Sequence, residues 1–305
     1  MKKEIKNLPA SVHDRLKRLA KEEGRPFQEL FYFYAIERFL FRLSESSYSD
    51  RFVLKGALMF AGWGIFPRRP TRDIDLQGLL RNSVDYLVSV VKEICEVAVV
   101  PDGMMFDPSS VRGEQIMDEA NYQGIRVYFT GYLGNAPIYL HLDVSFANVI
   151  TPQEILVNYP SLLGMPDFQI YGYPYETAIA EKFQAMVVLD RINDRMKDFY
   201  DIWLLSERVQ IRGETLLSAM HATFRERNTA LPVDLPTALT SEFARQRQPD
   251  WTRFLKRSIL QEQDMPSFEL VIGVLREFLW PVVQNANENS LFDKIWLAGG
   301  PWQAL

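Results

Sequence analysis

Cysteine and histidine are scarce in this sequence. Its 305 residues include one cysteine and three histidines. A single cysteine cannot form an intramolecular disulfide or a cysteine metal cluster, and Cys95 lies in an apolar run that favours a core position. His13, His141 and His221 are far apart in the sequence, so a histidine-rich zinc site has little support. Any metal chemistry is therefore expected on carboxylate oxygens.

The sequence also lacks long hydrophobic runs and an excess of positive charge. The apolar stretch at 31–41 contains Glu37 and Arg38 and is shorter than the roughly 20 residues of a membrane span. The N-terminus is basic without an uninterrupted apolar core, so neither a signal peptide nor an anchor is expected. Lys plus Arg is 34 and Asp plus Glu is 39, for a net charge of −5. We expect a cytoplasmic protein with no membrane association, and nucleic-acid contact only through a local patch.

Composition and hydrophobic periodicity indicate a globular protein of mixed secondary structure. Apolar residues make up 47% and charged residues 24%. Apolar spacing predicts an N-terminal helical segment over 1–50, an α/β core over 51–150 and a helical C-terminal region over 151–305. Predicted helices include 27–43, 83–97, 176–189, 195–206 and 268–280. The expected fold class is α/β, of the α+β type, with helices on one face of the sheet. The apolar tail at 296–302 suits either the protein body or a partner.

Two aspartates separated by one residue provide the first functional signal. Asp73 and Asp75 flank Ile74 in a predicted strand, so both carboxylates project from one face, with Cα atoms about 7 Å apart. Two negative charges this close repel unless a cation lies between them. A hard divalent cation, magnesium or manganese, would relieve the repulsion and bridge to a substrate phosphate. The pair alone is also compatible with a solvated strand face.

A third carboxylate favours the metal interpretation. Asp143 lies on the polar face of a predicted strand whose other face, at 140, 142, 144 and 146, is apolar. If this strand pairs with the Asp73 strand, three carboxylates converge on one side of the sheet. That is the geometry of a two-metal phosphoryl-transfer site, in which Asp143 would hold an attacking hydroxyl.

A glycine before the aspartate pair predicts a phosphate-binding turn. Gly56 follows a predicted strand and precedes a predicted helix near Ala57, and backbone N–H groups at such a junction bind phosphate oxygens. Lys55 is a candidate nucleotide contact at the same turn. Thr71 is expected on the Asp73 face, where its hydroxyl would lie near a metal, with an ordinary strand threonine as the alternative.

Basic residues near the aspartates are candidate nucleic-acid contacts. Arg68, Arg69 and Arg72 cluster beside the pair in sequence, and Arg126 is a fourth candidate. A second basic group alternates with aromatic residues, which suits base stacking and backbone contact but also a solvated helix face. It comprises Arg245, Arg247, Trp251, Arg253, Phe254, Lys256 and Arg257.

Two late segments add a lysine and two further aspartates. In the predicted helix at 195–206, Asp198 and Asp201 share one side. Lys182 lies among small residues of the preceding helix, from which its ammonium would extend towards a phosphate. An ordinary salt bridge from Lys182 to either aspartate is the alternative, and an ion pair would also hold the lysine ready for nucleotide.

The order and spacing of the motifs over residues 51–206 resemble one family. The motifs are Leu54-Lys55-Gly56-Ala57-Leu58, Arg69-Pro70-Thr71-Arg72-Asp73-Ile74-Asp75-Leu76, Gly124-Ile125-Arg126-Val127, Leu142-Asp143-Val144, Glu176-Thr177-Ala178-Ile179-Ala180-Glu181-Lys182 and Lys197-Asp198-Phe199-Tyr200-Asp201-Ile202. They are similar to those of the AbiEii-type nucleotidyltransferase toxins. This group belongs to the DNA polymerase β-like nucleotidyltransferase superfamily and includes the mycobacterial MenT toxins.

The resemblance implies a nucleotidyltransferase-fold mixed sheet and the toxin of a type IV-like toxin–antitoxin or phage-defence system. Such a toxin would transfer nucleotides from an NTP to RNA, with tRNA 3′ ends the target of some relatives. The matching positions imply metal binding by Asp73, Asp75 and Asp143, nucleotide-phosphate contact by Lys182, and the family's acidic pair at Asp198 and Asp201.

Two positions depart from the family pattern. Gly56-Ala57 stands where the wider superfamily has Gly-Ser and many AbiEii relatives have Gly-Gly, which leaves phosphate contact to the backbone and puts the contribution of Gly56 in question. Asn148 stands where many relatives have an acidic residue, so it is not counted as a ligand.

We therefore expect a magnesium-dependent enzyme that transfers NMP from an NTP to RNA and releases pyrophosphate. A cognate antitoxin protein is an expected further partner. Two alternatives remain open at this point. The same chemistry would serve a protein or small-molecule hydroxyl as acceptor, and a non-catalytic protein of this fold would bind a nucleotide or antitoxin.

Overall fold

The chain divides into two units, one built around a large mixed sheet and the other mainly helical. The sheet unit comprises Met1–Ala147 and Ile155–Gly172, and the helical unit comprises Asn148–Glu154 and Tyr173–Leu305. The computed structural model describes residues 7–65, 71–117, 123–146, 149–258, 265–288 and 291–305. The N-terminal helices thus belong to the same unit as the sheet, whereas the sequence suggested a separate segment over 1–50.

The helices of the sheet unit have ends that the sequence specifies. They are α1 (Leu8–Glu23), α2 (Phe27–Ser44), the single-turn α3 (Met59–Gly62) and α4 (Val84–Cys95). Asn7 caps α1 by accepting a hydrogen bond from the Ala10 N–H at 3.1 Å. Gly24 ends α1 in a left-handed conformation with φ of 64°.

Seven strands form one mixed sheet. They are β1 (Phe52–Lys55), β2 (Asp73–Gly78), β3 (Met104–Met117), β4 (Gln123–Leu133), β5 (Ala136–Ser145), β6 (Ile155–Tyr159) and β7 (Phe168–Gly172), in the spatial order β3-β4-β5-β2-β1-β7-β6. At the centre, β2 runs parallel to β5 and antiparallel to β1. The predicted pairing of the strands that carry Asp73 and Asp143 is therefore confirmed.

One face of this sheet forms the core of the unit. Ile74 and Leu142 are buried beside residues of α1, α2 and α4 in a single apolar cluster. The ring of Phe39 on α2 lies 4.4 Å from that of Phe129 on β4, measured between centroids. Helix α2 is buried over most of its surface. The opposite face of the sheet carries the polar residues of the candidate site.

Strands β6 and β7 correct the prediction that residues 151–305 are helical. Val157 and Tyr159 on β6 are buried, as are Phe168 and Ile170 on β7, and the residues between them are more exposed. This is a two-residue period. The strands are short and flanked by Pro160, Pro166 and Pro174, so the alternation spans too few residues to stand out in the sequence.

The described residues of the helical unit form five long helices and a small sheet. These are α5 (Tyr175–Leu189), α6 (Met196–Arg208), α7 (Gly213–Glu226), α8 (Ser241–Arg257) and α9 (Phe268–Asn287), with β8 (Ile211–Arg212), β9 (Lys294–Trp296) and β10 (Trp302–Ala304). Helix α9 continues through Pro281, past the predicted end at Trp280. The apolar tail forms β9 and β10 and packs within its own unit. Among the helices of the described residues, none combines the length and apolarity needed to cross a membrane.

Candidate active site

A row of charged residues crosses five adjacent strands of the sheet. The strand registers pair Lys55 with Asp75, Asp75 with Asp143, Asp143 with Arg126, and Arg126 with Glu114. Residues directly opposite in neighbouring strands project from the same face, so all five side chains lie on one side. Adjacent strands are about 4.8 Å apart. Two carboxylates are therefore neighbours at the centre of the row, with a basic residue on either side.

Asp73 extends this acidic centre along β2. It lies on the same face as Asp75 and directly opposite His141 on β5, whose Nε2 is 3.0 Å from Oδ1 of Asp73. This contact raises the pKa of His141, as does the charge of Asp143, while burial acts in the opposite direction. The Asp73 side chain is 53% exposed. Its carboxylate is thus accessible to a ligand from solvent.

Gly56 provides the space in which the Asp75 carboxylate lies. Its φ is +70°, and a Cβ built on it would meet Oδ2 of Asp75 at 2.1 Å. Only glycine satisfies both conditions without strain. The strand does turn into helical structure here, but as the 3-10 turn Gly56–Leu58 followed by the single turn of α3. This turn is too short for the phosphate-binding helix end that the sequence suggested. In the structure, the absence of a side chain at Gly56 leaves room for the Asp75 carboxylate.

Arg126 fixes the orientation of Asp143. Its Nε and Nη2 donate to the two carboxylate oxygens of Asp143 at 2.7 Å each. This hydrogen bonding raises the pKa of Arg126, so the guanidinium stays charged. A carboxylate offers about four acceptor positions, so the bidentate pair leaves some for another ligand. The sequence assigned Arg126 to nucleic acid, whereas these two donors contact Asp143.

The donor set of the carboxylates suits a hard divalent cation. Within the described ranges, no three His, Cys, Asp or Glu side chains form a complete metal-binding group. Magnesium, however, is commonly held by one or two carboxylates and completed by substrate phosphates and water. Asp73 and Asp75 supply oxygen donors from one face of β2, and Asp143 lies beside them. The chemistry of these residues therefore fits magnesium or manganese.

The predicted lysine and acidic pair form a buried cluster in the helical unit. Nζ of Lys182 on α5 lies 2.8 Å from Oδ1 of Asp198 and 2.9 Å from Oδ2 of Asp201, both on α6. Arg195 Nε is 2.8 Å from the other Asp198 oxygen. The aspartate side chains are only 1% and 0% exposed. The salt-bridge alternative is thus confirmed, and the aspartates position the lysine ammonium.

The other predicted site residues have varied surroundings. Thr71 precedes β2 and is buried. The Arg72 guanidinium lies 5.3 Å from the centroid of the Tyr32 ring. Arg68, Arg69 and Asn148 lie outside the described residues.

The second basic group does not form a stacking surface around Trp251. That side chain is fully buried in the helical unit. On the same helix, Arg247 and Arg253 both lie within 3.0 Å of Asp250 carboxylate oxygens. These basic residues therefore fit an ordinary solvated helix face better than a base-stacking surface.

His141 is the site residue that sequence reasoning missed. The wide sequence spacing of the three histidines argues against a zinc site and assigns His141 no role. A signal was nevertheless present, because His141 precedes Asp143 by two residues and must share its face of the strand.

Comparison with known proteins identifies the family. A family model described as nucleotidyl transferase AbiEii toxin, type IV toxin–antitoxin system, matches residues 38–274. The chain belongs to the AbiEii nucleotidyltransferase toxin family. The match extends beyond the 51–206 region of the sequence motifs and includes most of the helical unit. Membership in AbiEii also supports nucleotidyl transfer as the general kind of reaction. No curated protein matches the chain.

Two solved structures are similar to this AbiEii chain. JHP933 from Helicobacter pylori has a TM-score of 0.50 and 14% sequence identity, covering 86% of this chain and 94% of that one. A second H. pylori structure, provisionally described as a nucleotidyltransferase, has a TM-score of 0.48 and 14% identity, covering 86% and 98%. The likeness to JHP933 shows a shared mixed α/β fold.

Proposed function

We propose that this protein is a magnesium-dependent enzyme that transfers NMP from an NTP to a hydroxyl of RNA, with a tRNA 3′ end as the favoured acceptor. Manganese would serve in place of magnesium. The observation that carries the proposal is the position of Asp75, which lies over Gly56 and next to Asp143 in register. A divalent cation bound here would relieve the repulsion between the adjacent carboxylates and bridge to a substrate phosphate.

The reaction exchanges one phosphorus–oxygen bond for another. The acceptor oxygen bonds to the α-phosphorus, the bond from the α-phosphorus to the α–β bridging oxygen breaks, and pyrophosphate leaves. Asp73 and Asp75 would hold the magnesium, which when bound neutralises phosphate charge and lowers the pKa of the acceptor hydroxyl. Asp143, oriented by Arg126, accepts a hydrogen bond from that hydroxyl and then its proton.

Basic residues supply the charge that the triphosphate requires. Lys55 lies opposite Asp75 at the end of β1 and is proposed to contact the nucleotide. Lys182 is proposed as a phosphate contact because of its place in the family motif. Its ammonium is held by two buried carboxylates, so little conformational freedom would be lost on binding phosphate.

The test compares the wild type with Asp75→Asn, which removes the charge and preserves the shape of the side chain. Each protein is incubated with total tRNA, magnesium and one labelled NTP at a time, and the RNA is separated on a denaturing gel. We expect labelled RNA from the wild type and at least roughly a hundredfold less from Asp75→Asn. Asp50→Asn is the matched control, since it makes the same change at an exposed position and should keep full activity.

Two further measurements make the comparison decisive. Circular dichroism should show that Asp75→Asn is folded, and manganese titration followed by electron paramagnetic resonance should show weaker cation binding. A folded and fully active Asp75→Asn protein would refute the metal role. Label on protein or on a small molecule in place of RNA would refute the RNA acceptor and retain the chemistry.

A further inference from the structure

A second row of side chains lies beside the charged row on the same face of the sheet. The registers pair Asp73 with His141, His141 with Tyr128, and Tyr128 with Arg112. Tyr139 lies two residues before His141 and therefore shares this face. The polar face thus changes from charged to aromatic and basic residues away from Asp75 and Asp143.

Two aromatic rings and a guanidinium group lie close together on this part of the face. The Arg112 guanidinium lies 4.8 Å from the Tyr128 ring centroid, and the Tyr128 and His141 rings are 6.0 Å apart. The Tyr128 hydroxyl is held by a hydrogen bond to Glu114 at 2.7 Å. These contacts fix the Tyr128 ring in place without burying the row.

A contact with α2, on the core side of the sheet, holds the backbone of Tyr139. The Tyr32 hydroxyl donates to the Tyr139 carbonyl at 2.9 Å, and the Arg72 guanidinium lies 5.3 Å from the Tyr32 ring centroid. Tyr139 itself is 71% exposed. The Tyr139 ring therefore contributes little to core packing. Its exposed surface is available to a ligand.

We propose that Tyr139, Tyr128 and Arg112 form a platform for the single-stranded 3′ end of the acceptor RNA. We call this surface the tyrosine platform. Unpaired bases would stack on Tyr139 and on the Arg112–Tyr128 pair, while Arg112 neutralises a backbone phosphate. The inference rests on the proposed function, because it assigns the acceptor to the carboxylate site of this same face.

The position of the platform supports this occupant. Tyr139 and Asp143 are four residues apart on β5, which corresponds to about 13 Å along a strand. A stacked nucleic-acid strand rises about 3.4 Å per nucleotide, so roughly four nucleotides span that distance. The terminal hydroxyl would then lie at the carboxylates while preceding bases contact the tyrosines. A duplex would not suit this face, because its bases already stack on each other and are not free to contact the rings.

Charge supports the same occupant. The chain has a net charge of −5, so a broad nucleic-acid surface is excluded. Arg112 is an exposed basic residue placed against the Tyr128 ring on the polar face of the sheet. Basic residues paired with aromatic rings are the pattern of single-strand binding sites.

The experiment measures RNA binding separately from catalysis. A single-stranded RNA labelled at its 5′ end is titrated with protein and followed by fluorescence anisotropy, in potassium chloride with EDTA and no NTP. We expect Tyr139→Ala to weaken binding roughly five- to hundredfold, the range for loss of one stacked base. Tyr139→Phe, which keeps the ring, should bind like the wild type. Tyr86→Ala is the matched control, because it removes an exposed tyrosine of α4.

Salt dependence separates stacking from charge. Arg112→Gln should reduce the slope of log affinity against log salt by about 0.7 to 1, the value for one lost phosphate contact. Tyr139→Ala should leave the slope unchanged. A blunt RNA duplex should bind the wild type more weakly than the single strand.

The outcomes distinguish this inference from the proposed function. If the wild type labels RNA but both Tyr139→Ala and Arg112→Gln bind single strands normally, the platform is refuted and the transfer reaction stands. If the wild type binds single strands through Tyr139 and yet labels no RNA, the platform stands and the proposed reaction is refuted. If the single strand binds no more tightly than the duplex, the single-strand assignment is wrong.

Discussion

Gly56 combines two constraints at one residue: a left-handed backbone and a carboxylate located where a side chain would begin. The sequence contains the glycine but does not show which constraint it serves, because the neighbour that fills the space is 19 positions away at Asp75. The junction of a predicted strand with a predicted helix suggested a phosphate-binding turn. The antiparallel register of β1 and β2 explains the contact, since it places Lys55 opposite Asp75 and thus brings Gly56 next to that carboxylate.

Gly56→Ala should therefore impair the site more than a left-handed alanine does elsewhere. The backbone conformation costs about 1–2 kcal/mol for a residue with a Cβ, and the new Cβ must also displace the Asp75 carboxylate. We expect reduced stability in urea unfolding together with loss of nucleotide transfer and of manganese binding.

Gly24→Ala is the matched control for this change. Gly24 has φ of +64°, and a Cβ at this position would have no atom of a non-adjacent residue within 4 Å. Its substitution therefore brings the backbone cost without a clash. Gly24→Ala should lower the free energy of unfolding by an amount similar to the backbone cost at Gly56, and it should retain full transfer activity. Equal activity of the two variants would show that the position of Asp75 does not depend on Gly56.

At the scale of elements, the sequence predicted those strands and helices whose periodicity spans enough residues. Strand β5 alternates between buried and less buried residues from Ile138 to Val144, and the pairing of Asp75 with Asp143 follows once β2 and β5 are neighbours. Strands β6 and β7 were missed because each has five residues. Local pattern also cannot reveal that β7 pairs with β1, since that contact depends on distant parts of the chain.

The two C-terminal strands are held by contacts of their tryptophan side chains. Trp296 on β9 donates from Nε1 to the Ser206 carbonyl at 2.8 Å, and its ring lies 5.5 Å from that of Trp302 on β10. The Trp302 Nε1 donates to the Phe278 carbonyl at 2.9 Å. Buried indoles need such acceptors, so the tail belongs to the core of the helical unit.

Trp296→Ala should destabilise the helical unit by about 3–5 kcal/mol, because it leaves a large cavity at a residue that is 2% exposed. Leu297→Ala, the next residue at 37% exposed, should cost about 1 kcal/mol or less. Urea unfolding followed by circular dichroism measures both, and this probe does not depend on the tryptophan removed. Similar losses for the two variants would mean that the tail contributes little to stability.

At the scale of the whole molecule, the two units differ in the probes that report on them. Cys95, the only cysteine, is buried on α4 of the sheet unit, and this burial raises its pKa to about 12. Most tryptophans, including Trp203, Trp251 and Trp296, belong to the helical unit. The predicted division at 50 and 150 missed this organisation, because strands β6 and β7 return the chain to the sheet unit.

At pH 8, iodoacetamide should alkylate Cys95 on the order of a thousandfold more slowly in the native protein than in the unfolded protein. The reason is that the thiolate is the reactive form, and the raised pKa makes it scarce in the native protein. In a urea series, alkylation should rise with unfolding of the sheet unit, and tryptophan fluorescence should follow the helical unit. Mass spectrometry of the labelled protein measures the first transition. Rapid labelling in the absence of urea would contradict the burial of this helix.

The pairing of β1 with β7 joins Leu54 to Gly172 and has a consequence during synthesis. About a hundred residues separate the Asp75 codon from that of Gly172, and ribosomes add roughly 5–20 residues per second. The nascent chain thus carries Asp73 and Asp75 for about 5–20 s before the strand that completes the sheet is made. A truncated translation product that ends before Asp143 also lacks the third carboxylate. The seven-stranded sheet is therefore completed only when Gly172 has been added to the chain.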